Sequence, residues 1–184
     1  AWVGGANIDH FAFDHVKQGK RQVGSTIKPF VYSTAMLMGV VKPCTMFENR
    51  DYCVDLQGPD GKIFDRWCPR NAGGSDASHV STATGLAMSM NNITVGVMQQ
   101  MGGYAGPKTI AKLLRDVDIQ IRPEDEVPSI CLGVMDLSLY ELVAAQCIFA
   151  NHGIYNRPTT ILRVEDRNGN VIYQAQNYSK EVLN

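Results

Sequence analysis

Within "RQVGSTIKPFVYSTAMLMG" (residues 21–39), Ser25 and Lys28 are the pair best suited by type and spacing to covalent chemistry. A serine hydroxyl is a weak nucleophile at neutral pH unless a nearby base takes its proton during attack. Residues three apart on a helix share a face about one turn apart, so the Lys28 amine can reach towards Ser25 Oγ. Only the neutral amine is a base, and burial among apolar groups such as Phe30 lowers a lysine pKa. A serine at a helix start also places its backbone N–H, and the positive end of the helix dipole, where an oxyanion would form.

Taken alone, S-x-x-K is expected by chance about once in a chain of this size, and it equally describes a capping serine with a surface lysine. A second cluster adds to it: "LAMSMNNITVG" holds Ser89 and Asn91 as S-x-N, about sixty residues downstream. Ser89 could relay protons between Lys28 and a leaving amine, and the Asn91 amide offers a donor and an acceptor to an amide substrate. Alone, S-x-N is an ordinary polar helix end; the ordered pair is rarer.

These residues need elements to hold them. Ile27, Phe30, Val31, Thr34 and Met38 recur at helical spacing after Gly24, which predicts a helix from Ser25 to near Gly39. Upstream, "AWVGG" reads as a buried strand over residues 1–5, followed by a polar connection without a clear period. Residues 40–80 are rich in Pro and Gly and read as a long loop with short strand fragments. Helix resumes at "STATGLAMSM", and "GPKTIAKLLRDV" gives another with Pro107 in its first turn. In "DLSLYELVAAQCIFANHG", Ser138 and Glu141 make a capping box, with Asn151 and Gly153 as the stop. "TTILRVEDRNGNVIYQA" reads as a β-hairpin turning at Asn168-Gly169. The final "YSKEVLN" reads as a helix starting at Ser179 and then cut off, so both ends point to a fragment of a longer protein.

With 184 residues, 45% hydrophobic and 19% charged, the chain can bury one core. A formal net charge of -1 provides no general attraction to nucleic acid or acidic membranes. No apolar run is long enough to span a bilayer, and the start lacks the pattern of a signal peptide. The cysteines at 44, 53, 68, 131 and 147 have no CxxC spacing, which argues against a zinc or thioredoxin-like site. Cys53 and Cys68 flank a polar Gly-containing stretch and either form a disulfide, worth roughly 3 kcal/mol by loop entropy, or are unrelated thiols. Cys131 and Cys147, among apolar neighbours, read as core residues. His10, His15, His79 and His152 share no ligand spacing and read as solvated or capping residues, and Lys17, Lys20 and Arg21 read as a solvated basic loop ahead of the alternative, a cluster that attracts carboxylates of a substrate. The methionines at 36, 38, 88, 90, 98 and 101 read as packing residues, Trp67 as packing the long loop near the cleft, and Trp2 as packing beside the first strand.

"KRQVGSTIKPFVY", "WCPRNAGG", "LAMSMNNITV", "PSICLGVMDLSLYELVAAQCIFANHGIYNRP" and "ILRVEDRNGNVIY" resemble, in order and spacing, the transpeptidase domain of class A (bifunctional) penicillin-binding proteins. The resemblance covers nearly the whole chain. It implies an α+β penicillin-binding-protein/β-lactamase-like serine acyltransferase fold over residues 1–184. The chain would hold a mostly helical part of it, with one core-sheet strand at residues 1–5 and the peripheral hairpin. The implied activity is D,D-transpeptidation cross-linking peptidoglycan. Ser25 would attack the penultimate D-Ala carbonyl of a stem peptide and pass the acyl group to an amine on a neighbouring stem. Lys28 matches the family's base, Ser89 its proton shuttle and Asn91 its substrate-amide contact; no metal or other cofactor is implied. β-Lactams would acylate the same serine.

The resemblance also implies a parent protein with a glycosyltransferase domain and membrane anchor, acting at the extracytoplasmic face of the bacterial cytoplasmic membrane. The family's K-T-G is absent from the 184 residues. An isolated fragment is therefore expected to be nearly inactive and, lacking most of the central sheet, aggregation-prone. The alternatives are a D,D-carboxypeptidase or β-lactamase on the same scaffold, though no glutamate motif for deacylation is obvious, or a β-lactam-sensing or peptidoglycan-binding module.

Overall fold

The computed structural model describes residues 3–7, 9–58, 60–73 and 76–184. The core is built by three helices, α1 (Lys28–Leu37), α3 (Asn91–Gln100) and α4 (Ala105–Asp116), the last two consecutive in the chain. α1 leads through Phe30, Val31 and Tyr32, all at most 1% exposed, and meets Ile93, Val97 and Met98 of α3 and Ile110 and Leu114 of α4. Burying an aliphatic or aromatic side chain of this kind is worth roughly 2 kcal/mol. α2 (Thr82–Ala87) caps on Ser81 and lies so close to α3 that a Cβ on Gly85 would fall 2.5 Å from Ile93 Cγ2. α5 (Leu139–Ala150) closes the core with Ala144, Ala145 and Ile148.

Among the described residues the strands form two-stranded antiparallel ladders. β1 (Lys20–Gln22) pairs with β6 (Asp136–Ser138), β2 (Met46–Glu48) with β5 (His79–Ser81), and β3 (Val54–Gln57) with β4 (Ile63–Trp67). β7 (Ile154–Asn156) pairs with β10 (Ser179–Glu181), and β8 (Arg163–Glu165) with β9 (Val171–Gln174). The long loop thus contains the expected strand fragments, and a Cys53–Cys68 disulfide crosses the β3–β4 ladder ends. The capping box of Ser138 with Glu141 and the hairpin turn at Gly169 (φ 85°) are present as read from sequence.

Four expectations need correction. Ala1 and Trp2 lie outside the described residues, while Val3–Gly5 form no strand and Val3 is 80% exposed, with no strand among the described residues pairing with them. Residues 179–181 are a strand, not a helix start: three residues cannot sustain a helix, whereas the β7 edge and an ion pair from Lys180 to Asp116 hold them extended. Cys131 is buried but Cys147 is exposed; α5 is apolar on nearly every side, so its sequence does not reveal which face is covered. Met90, Met98 and Met101 are in the core, whereas Met36, Met38 and Met88 are exposed. Leu139, Val143, Cys147 and Ala150 leave an exposed stripe along α5. Among the described residues no helix is long and apolar enough to cross a membrane.

Candidate active site

The chain reaches Ser25 through a clamp. After β1 ends, Val23 N–H donates to Met135 O (3.1 Å) and Gly24 N–H to Gly133 O (2.9 Å). Gly24 (φ 54°) then turns the backbone into a 3-10 turn, Gly24–Ile27, which runs directly into α1. Gly133 (φ 73°) must be glycine, since a Cβ there would sit 2.1 Å from Gly24 O. From the other side Gln146 Nε2 donates to Thr26 O at 2.7 Å. Ser25 is therefore an exposed side chain on a backbone fixed from the turn before β6 and from α5. Among the described residues no protein group hydrogen-bonds its hydroxyl.

Ser25 lines a cleft of about 220 Å³ together with Asn71, Ala72, Gly73, Met88, Ser89, Met90 and Asn91. A larger concavity of about 640 Å³ lies against the N-terminal coil, where Phe11, Phe13, Asp14 and Lys17 present no nucleophile beside a base. The smaller cleft is where the chemistry converges.

Lys28 stands one turn after Ser25 and is 1% exposed. Its Nζ donates to Ser89 O (2.6 Å), Asn91 Oδ1 (2.7 Å) and Ser89 Oγ (3.1 Å). The amide orientation of Asn91 is set by its own Nδ2, which donates to Arg70 O at 2.8 Å. Burial lowers the Lys28 pKa to about 8, against a smaller upward pull from the Cys131 thiol. The three acceptors match the three hydrogens of an ammonium. A neutral amine keeps two hydrogens, which the carbonyl of Ser89 and Oδ1 of Asn91 can hold because both only accept. Its lone pair is then free for a hydroxyl hydrogen.

Ser89 sits between α2 and α3 at φ 52°, a conformation that side-chain-bearing residues seldom adopt. That turn lets its carbonyl and its hydroxyl both face Lys28. The sequence reading placed Lys28 towards Ser25 Oγ; the structure instead turns the amine to the S-x-N residues, with no hydrogen bond between Lys28 and Ser25. It brings Lys28, Ser89 and Asn91 into direct contact and Ser25 to the rim of the same cleft. The sequence offers both halves of the Asn91 amide to a substrate; in the structure Oδ1 accepts from Lys28 and one N–H remains after the bond to Arg70.

Sequence reasoning missed Asn71 and Asn92. Asn71 Oδ1 accepts from Asn91 N (2.7 Å) and Asn92 N (3.1 Å), and its Nδ2 donates to Asn92 Oδ1 (2.9 Å). The only hint was an Asn beside Arg70 in "WCPRN". The four histidines are exposed, and no His/Cys/Asp/Glu group among the described residues could hold a metal. Lys20 pairs with Glu141 at 3.4 Å on the outer surface. Trp67 is half-buried against the core, opposite Val54 in the β3–β4 ladder.

No protein-family model matches the chain. Curated relatives do. Penicillin-binding protein 1A of Rickettsia prowazekii is 34% identical over 177 residues, 96% of this chain and 21% of the relative. Penicillin-binding protein 2D of Bacillus subtilis is 31% identical over 186 residues, 100% of this chain and 25% of the relative. The chain thus spans a fifth to a quarter of the length of these relatives. Among solved structures, penicillin-binding protein 1A from Haemophilus influenzae covers 96% of this chain (25% of its own) with a TM-score of 0.77 at 24% identity. Penicillin-binding protein PonA1 from Mycobacterium tuberculosis covers 98% (47% of its own) with a TM-score of 0.76 at 20% identity. A peptidoglycan glycosyltransferase from Burkholderia ambifaria covers 94% (54% of its own) with a TM-score of 0.68 at 17% identity. The fold of this chain is that of a segment found in penicillin-binding proteins.

Proposed function

We propose that residues 1–184 are part of a penicillin-binding transpeptidase domain, and that the intact protein cross-links peptidoglycan stem peptides through an acyl-enzyme on Ser25. The observation that carries this reading is the buried Lys28 amine, held by Ser89 and Asn91 at the cleft that Ser25 lines. In the acylation step Ser25 Oγ forms a bond to the penultimate D-Ala carbonyl carbon while its proton passes to Lys28 Nζ. As the C–N bond breaks, Lys28 returns a proton through Ser89 Oγ to the departing D-Ala nitrogen. An acceptor amine on a second stem then attacks the ester and regenerates Ser25. The remaining Asn91 N–H is available to the substrate amide. The relatives' name supports penicillin as a ligand, its covalent attachment to Ser25 being part of this proposal, and the intact protein is proposed to act at the extracytoplasmic face, anchored outside this chain.

The test is mass spectrometry of the intact protein after exposure to penicillin. An adduct on the peptide carrying Ser25, absent in Ser25→Ala, is the expected result; no adduct, or one on another serine, overturns the reading. Product analysis with a stem-peptide donor and an amine acceptor separates the remaining classes. Cross-linked dimer marks a transpeptidase, free D-Ala alone a carboxypeptidase, and a stable adduct without turnover a sensor. A glycosyltransferase role for these residues has one structural relative's name in its favour, and it would leave Ser25→Ala without effect on penicillin binding.

A further inference from the structure

We propose that Asn71 is a positioning residue that fixes Asn91 against Lys28, acting from a strap that the Cys53–Cys68 disulfide fastens along α3. Its consequence for catalysis rests on the acylation reading above; its geometry does not. The residue before α3, Met90, has no side chain able to cap the helix, so the first N–H groups need acceptors from elsewhere. Asn71 supplies one oxygen to two of them, at Asn91 and Asn92. Its neighbour Arg70 offers the carbonyl that orients the Asn91 amide. Two consecutive residues of one loop therefore hold the backbone and the side chain of the residue whose Oδ1 receives Lys28.

The loop is itself held at several points. Asn71 Nδ2 donates to Asn92 Oδ1, and Asn92 is 4% exposed. Asn92 Nδ2 in turn donates to Asn49 Oδ1 (2.9 Å) and Arg50 O (3.0 Å), so both of its amide hydrogens are placed. Three residues before Asn71, Cys68 is bonded to Cys53, whose carbonyl accepts from Gln99 Nε2 near the C-terminal end of α3 at 2.7 Å. The strap is thus tied near both ends of the helix. A network whose members are all satisfied resists the displacement of any one of them.

The test is a cycle in the intact protein, read by the NMR titration of the Lys28 Cε resonance. Burial and the nearby Cys131 thiol also act on Lys28, and every variant retains that thiol. Asn91→Ala removes an acceptor of the ammonium, so the midpoint should fall by about half to one pH unit. Asn71→Leu should reproduce that fall, and the double variant should show no further shift, since one residue acts through the other. A residue that merely stabilises the loop would leave the midpoint in place or add to the Asn91→Ala shift, and either result overturns the proposal. If Asn71→Leu does not fold, Asn71→Ala decides by the same reading: a fall matching Asn91→Ala is expected, and an unmoved midpoint overturns the proposal. Penicillin labelling of the wild type, scored alongside, separates the two readings: no adduct with the shifts intact removes the transpeptidase and leaves the strap, whereas an adduct with no shift does the reverse.

Discussion

Acylation of Ser25 by penicillin should track the neutral form of Lys28, which burial of the amine brings within reach of neutral pH. With burial lowering the amine to about 8, its neutral fraction is about 1% at pH 6, about a tenth at pH 7 and about nine-tenths at pH 9. The labelling rate of the intact protein should climb about tenfold per pH unit below 8 and level off above it. A lysine at its ordinary 10.5 would still be climbing at pH 9, and at pH 7 would be neutral about 300-fold less often. The assay is the initial rate of fluorescent-penicillin incorporation between pH 6 and 9.5, corrected for hydrolysis of the probe. A flat profile, or one still rising tenfold per unit at 9.5, would refute the assignment of Lys28 as base.

The same shift has a consequence for stability that needs no penicillin. Because the folded amine titrates near 8 and the unfolded one near 10.5, the unfolded chain binds more protons between those values, and stability rises with pH there. Below 8 the penalty is fully present, about 3 kcal/mol for 2.5 units. Above 9 the buried Cys131 thiol, pushed up to about 12 by desolvation, works in the opposite direction. The clean window is therefore 8 to 9, where the amine contributes a gain of about 1 kcal/mol in unfolding free energy.

Ser89→Ala keeps the Lys28 contacts to Ser89 O and Asn91 Oδ1, so the fold should persist while labelling slows about 10²-fold; a rate within twofold of wild type would remove Ser89 from the proton relay. Gly133→Ala puts a Cβ against Gly24 O at a left-handed backbone, and should lower stability by about 2 kcal/mol or more and reduce labelling at Ser25, measured by urea unfolding and the same fluorescent assay. Reducing Cys53–Cys68, which closes a separation of 15 residues, should lower stability by about 3 kcal/mol in denaturant titrations run with and without dithiol. Ser138→Ala removes one half of the capping box on α5 and should destabilise by about 1 kcal/mol, with no change in the pH profile of labelling.

Where local rules and tertiary structure agree, the sequence was sufficient. Ser138 and Glu141 lie three apart and cap α5, and Asn168-Gly169 turns a hairpin, because each rests on geometry contained within a few residues. It was insufficient where a distant partner decides. "KRQ" has no strand period, and becomes β1 only because "DLS" pairs with it from more than a hundred residues away. "SKE" becomes a strand for the same reason, with β7 as partner. Cys147 looks like a core residue on an apolar helix, and only the packing of the other side of α5 on the core leaves it outside.

The candidate site divides along the same line. Residue types and order pointed to Ser25, Lys28, Ser89 and Asn91, and helical spacing made an approach of Lys28 to Ser25 reasonable. Spacing could not show that the amine would turn away to a cage of acceptors on another segment. That cage depends on a left-handed Ser89 and on a loop that supplies Arg70 and Asn71, none of which has a local signature strong enough to read. The physical content of the motif is accordingly larger than its letters. A lysine buried beside apolar residues is costly when charged, and its charged form is tolerated because three oxygens meet its hydrogens. Two of those oxygens can only accept, so deprotonation leaves the lone pair to the hydroxyl of Ser89. The same packing that disfavours the ammonium thus selects which neighbours the free base can serve.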